Sequence, residues 1–173
     1  MSYKNDNQKT KITGNKAVAL CGVFIALALI LSYLENLVPV TFVVPGIKLG
    51  LANLVTIITL IKLGFKPALI VSTGRIILSG ILFGNVTIII YSLAGAFLSI
   101  VCMLIVSKIK LFTVTGISVC GAIAHNVGQI IVAAFIMENV KILYYLLVII
   151  ATGTIAGFLI GIIAGNIIKN IRL

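Results

Sequence analysis

Between Ala17 and Leu34 the chain runs eighteen residues without a charge, and similar apolar stretches recur almost to its C-terminal end. Inside a hydrocarbon slab every backbone amide must be satisfied by the protein, which leaves helices and closed barrels as the only solutions. Uncharged runs of this length point to helices. Only 9% of the residues are charged, against roughly a quarter in an ordinary soluble domain. With a mean hydropathy of +1.31, the chain is built for lipid, and a water-soluble monomer is excluded.

Six spans are expected in one transmembrane domain over residues 17–173, after a polar basic tail at 1–16. They run over about 17–34, 46–63, 67–83, 87–106, 114–137 and 142–168. Gly64 followed by Pro67 separates the second from the third, since glycine favours a helix exit and proline a first turn. Gly84-Asn85 makes a tight turn, and Asn139 is placed to cap the last helix. Residues 35–46 hold Pro39 and Pro45 and cannot form one continuous helix; the Pro39–Pro45 segment is expected to act as an outer lid. The second span is the short one. Thirteen residues separate Lys48 from Lys62, roughly 20 Å of helix against a core of about 30 Å.

Charge settles the count. The chain has 13 basic and 3 acidic residues, a formal charge of +10. The basic residues stand singly between apolar runs, a pattern of membrane topology and not of nucleic-acid binding. Basic loops favour the cytoplasm. With six spans, ten basic residues fall on the side of the two termini, leaving Lys48 and Lys141 opposite. With five, the split becomes five against seven. Six spans with both termini cytoplasmic are therefore expected, in a multi-pass membrane protein. A short span beside a proline-broken loop also points to a binding site.

The same composition removes most enzyme chemistry. Asp6, Glu35 and Glu138 are the only acids, too few and too scattered for paired-carboxylate catalysis or a magnesium-diphosphate site. One histidine and three dispersed cysteines give no zinc spacing. There is no glycine-rich nucleotide loop ending in Lys-Ser/Thr. Neither a metal, a cofactor nor catalysis by this chain is expected.

Binding residues do stand out. Arg75 lies near the middle of the third span, where insertion costs roughly 2.5–3.5 kcal/mol, with Ser72 and Ser79 on its helical face. Glu35, at the outer end of the first span, and Glu138 are the only acidic candidates on the non-cytoplasmic side to balance it. The fifth span holds His125, Asn126 and Gln129, and the second holds Asn53 behind Lys48. Lys48, Asn53, Arg75, His125, Asn126 and Gln129 are expected to line a cavity between mid-membrane and the outside. The charge that Arg75 lacks then arrives on a small anionic ligand. The competing expectation is that these groups bond one another between helices.

Small residues recur at four-residue spacing: Gly153, Gly157, Gly161 and Gly165 in the last span, Gly116, Cys120, Ala124 and Gly128 in the fifth. Such stripes let helix backbones approach closely. Packing within the bundle is the leading expectation for them, and docking of another subunit the alternative. The first span offers Gly22-x-x-x-Ala26.

Pro45-Gly46-Ile47-Lys48-Leu49-Gly50-Leu51-Ala52-Asn53, Arg75 and Ala124-His125-Asn126-x-Gly128-Gln129 together give the chain a family resemblance over about residues 15–170. It resembles the bacterial "Gx transporter" membrane proteins, often labelled heptaprenyl diphosphate synthase component I. That group is similar to the substrate-binding S components of energy-coupling factor (ECF) transporters. The resemblance implies an all-α, six-helix membrane fold, an outward-facing pocket, and partners consisting of one transmembrane coupling subunit and two ATPases. S components commonly dock through Ala-x-x-x-Ala in the first helix; here Gly22-x-x-x-Ala26 is the nearest equivalent. The synthase label implies instead an accessory that accompanies a soluble prenyltransferase, since the aspartate-rich motifs of prenyl diphosphate synthases are missing.

Overall fold

The computed structural model describes residues 14–37, 50–109, 111–138 and 140–171. The described residues form six α-helices and no strand: α1 (Asn15–Leu37), α2 (Leu51–Lys62), α3 (Phe65–Phe83), α4 (Val86–Lys108), α5 (Val114–Ile136) and α6 (Leu146–Asn170). Five of them are long and apolar enough to cross a membrane; α2, with 12 residues, is shorter. The Pro39–Pro45 segment, Lys48 and Asn139 lie outside the described residues.

Local chemistry accounts for the breaks. Gly64 takes φ 96° between α2 and α3, a conformation L side chains avoid. Asn85 follows Gly84 and caps α4, its side chain accepting from the Ile88 N–H at 2.9 Å. Thr113 caps α5 through Gly116 N–H at 3.3 Å. The last helix differs from expectation. It starts at Leu146, behind a single 3-10 segment, Val140–Tyr145. In that tighter geometry residues three apart eclipse, which sets Ile142 beneath Tyr145, and both face the cavity described below.

The helices pack in the cyclic order α1, α3, α4, α5, α6, α2, and α2 also touches α3 and α4 from within. The α4–α5 and α5–α6 contacts are the most extensive, and glycine is the cause. A Cβ on Gly128 would stand 2.9 Å from Gly95 Cα, and one on Gly161 would stand 2.5 Å from Thr115 Cα. The stripes on α5 and α6 are thus spent on internal packing, in line with the leading expectation. Gly22 is different: a Cβ there meets nothing within 4 Å, and both Gly22 and Ala26 are exposed on α1.

The two ends of the bundle differ. Lys16, Lys62, Lys66, Lys108 and Lys169 all sit at helix ends on one side. On that side the core is dense, built around Ile57, Leu60, Ile100, Met103, Ile117 and Ile168. Lys62 Nζ donates to the Ile171 carbonyl at 2.8 Å, where the α6 dipole is negative. This ties the end of α2 to the end of α6. From that anchor α2 rises only about 18 Å, so Gly50 and the start of α2 stop partway along the longer helices around them. Above it the bundle is hollow.

Candidate functional site

A cavity of about 680 Å³ opens in the half of the bundle opposite the lysines, with all six helices contributing to its wall. It is within the usual range for small-molecule sites. Five of the six residues expected there occur in its lining: Asn53, Arg75, His125, Asn126 and Gln129. Lys48, the sixth, lies outside the described residues.

Each arrives by an identifiable route. Arg75 is carried by α3, which leans on α1 so closely that a Cβ on Gly74 would stand 2.9 Å from Ile25 Cδ1. His125 and Gln129 sit one turn apart on α5, against the gap left by Gly95 on α4; a Cβ on Gly95 would meet His125 O at 2.6 Å and Gln129 Cγ at 2.8 Å. Asn126 Nδ2 donates to Ile149 O of α6 at 3.0 Å, and Gly153 makes room for that amide. Asn126 therefore does what interhelical packing asks of it as well as lining the cavity.

Among the described residues, three buried polar atoms have no hydrogen-bond partner: Ser32 Oγ, Arg75 Nε and His125 Nδ1. All three belong to residues that line this cavity, and they come from three different helices. Buried donors and acceptors are satisfied in the great majority of cases. An orphan costs about 1–3 kcal/mol, so three around one hollow make it the candidate site of the described residues.

Glu35 is the acidic neighbour. It lines the same cavity, and its charge acts on Arg75. Its carboxylate accepts from Gly50 N–H, just ahead of α2, whose N-terminus has no side-chain cap. The site is therefore less one-sided than a lone guanidinium. Arg75 feels a carboxylate within the protein, yet its Nε is left without a hydrogen bond. The start of α2 adds its partial positive charge to the same space.

Ser32 and Tyr91 enter the site without having been expected there, as do Glu35 and Ser92 as lining residues. Ser32, three residues before Glu35 on α1, is small and uncharged in an apolar run and so does not stand out; its spacing from Glu35 puts both on one face. A smaller cavity of about 40 Å³ shares Gly50, Asn53 and Asn126 with the large one and runs on past Ser99 and Ser118. By volume it holds about two or three waters.

No curated protein and no solved structure matches the chain. A family model does. The description heptaprenyl diphosphate synthase component I applies to residues 24–167, a stretch that includes every described lining residue named above, and the chain belongs to that family.

Proposed function

We propose that this protein is the membrane-embedded substrate-binding subunit of a bacterial ECF-type importer, taking up a small anionic ligand from outside and performing no catalysis itself. The observation that carries this reading is the convergence of three orphaned polar groups, Ser32 Oγ, Arg75 Nε and His125 Nδ1, on one cavity. Arg75 supplies the charge, the start of α2 adds its dipole, and Asn53, His125 and Gln129 orient the ligand by hydrogen bonds. Lys48 would guard the entrance.

Orientation follows from the lysines. Five described lysines lie at the closed end and Lys141 at the cavity end, so the positive-inside tendency turns the closed end and both termini to the cytoplasm. The cavity then faces out. The exposed Gly22 and Ala26 on α1 offer a coupling subunit a place for close helix contact. Delivery requires the ligand to bind the outward state more tightly than the released one.

The family description favours a second reading, in which the chain accompanies a soluble prenyltransferase in heptaprenyl diphosphate synthesis. Purification from the native membrane in mild detergent, followed by mass spectrometry of bound partners and ligands, separates the two. Recovery with a coupling subunit and ATPases supports the importer. Recovery with a prenyltransferase overturns it.

A further inference from the structure

The cavity changes character along its depth, and it does so in the same sense on three helices. On α3, Arg75, Ser79 and Phe83 follow at four-residue steps and all line it. On α5 the same step gives His125, Gln129, Ala133 and Met137; on α4 it gives Ser92 and then Ile88. Residues four apart share a helical face about 6 Å from one another. Each helix thus presents polar groups in the middle of the slab and apolar ones toward the mouth, a change completed over about 12 Å between Arg75 and Phe83.

The mouth is built for contact. Phe83, Met137 and Tyr145 line it while remaining 46%, 61% and 57% exposed. Tyr33 of α1 rests against Phe83 with ring centroids 5.3 Å apart. On the floor, Arg75 Nε and His125 Nδ1 are buried without a partner, while Ser32, next to Tyr33 on α1 and only 6% exposed, brings a third unpartnered group, its hydroxyl, to the wall nearer the collar. A wholly hydrophilic anion would satisfy the floor and leave this apolar collar wet. A wholly apolar ligand would leave the three orphaned groups as they are.

We infer, building on the binding role proposed above, that the ligand is an amphiphilic anion: a carboxylate or phosphate group held at the Arg75–His125–α2 floor, joined to an apolar body that fills the Phe83–Met137–Tyr145 collar. Head-first entry is the only orientation that pairs both ends. The ligand's outer part sits at the level where the bilayer meets water, so a soluble organic acid and a lipid share the required chemistry.

The test uses the full chain in phosphatidylcholine nanodiscs and a series of acetate, butyrate, hexanoate and octanoate, with inorganic phosphate and citrate as polar controls. Calorimetric affinity is expected to rise about fourfold for each methylene that becomes buried. Arg75→Met removes the rise, and Phe83→Gln flattens it among the longer members; partition into the bilayer alone depends on neither. Octanoate binding no tighter than acetate overturns the inference. If phosphate or citrate then binds through Arg75, the anion-binding role stands without it; if no anion binds through Arg75, both fall. Native mass spectrometry of discs made with and without phosphatidic acid tells the sources apart. Retained phosphatidic acid identifies a lipid, retained octanoate an aqueous acid, and either supports the inference; retention of only the polar anions overturns it.

Discussion

Replacing Arg75 by methionine keeps the unbranched stem and deletes the planar donor, so it tests the site's main source of charge with little change in packing. A hydrogen bond to a charged group contributes about 1.5–3 kcal/mol, which converts to roughly 10- to 150-fold in Kd. A ligand present at 100 times its Kd stabilises the wild type by about 2.7 kcal/mol. At the same concentration the variant keeps only about 0.3–1.4 kcal/mol of that stabilisation, by the same relation. The empty protein should lose little, because Arg75 Nε has no partner to forfeit and Glu35 keeps its bond from Gly50 N–H. Thermal unfolding in nanodiscs, with and without the co-purified ligand, reads both quantities. Equal ligand-induced shifts in the two proteins would falsify the role given to Arg75. So would a variant that is stabilised normally by ligand but melts far lower when empty, since that pattern belongs to a structural pair with Glu35.

Other outcomes follow from particular contacts. Gly128→Ala forces a methyl to 2.9 Å from Gly95 Cα and is expected to destabilise by about 1–3 kcal/mol through overpacking, whereas Gly22→Ala, with open space around it, should leave the melting temperature unchanged. Gly22→Leu tests the docking surface: a normal melting temperature with loss of partner recovery is expected, and undiminished recovery removes Gly22 from the interface. Lys62→Met deletes the 2.8 Å bond to Ile171 O and should cost about 1.5–3 kcal/mol, the range for a charged donor, by denaturant titration. Asn126→Leu breaks the bond to Ile149 O; interhelical bonds of this kind in membranes average about 0.6 kcal/mol, so a small fall in stability with a larger fall in ligand affinity is expected.

Much of the site was legible because lipid makes polar residues conspicuous. Arg75, His125, Asn126 and Gln129 stand in runs where almost everything else is apolar, and the structure collects them with Asn53. Glu35 was visible as a possible neighbour of Arg75, but its bond to Gly50 N–H was not. A one-dimensional pattern gives the face of a helix and not the identity of the helix opposite. Ser32 was hidden for a related reason: serine is small enough to pass as packing, and only its orphaned hydroxyl marks it otherwise. The starts of α2 and α6 were misjudged by several residues, because hydropathy extends across turns that backbone geometry does not. At Gly50 the backbone takes φ 75°, and no hydropathy profile records that.

The tie between Lys62 and Ile171 gives α2 a mechanical meaning. One end of this stubby rod is fastened at the lysine-bearing end of the bundle, while the other forms part of the cavity wall. In the importer reading, a shift at Gly50 would reach the end of the bundle proposed to meet the coupling subunit through one short rigid helix, which would let the truncated helix act as a plunger between the hollow and that end.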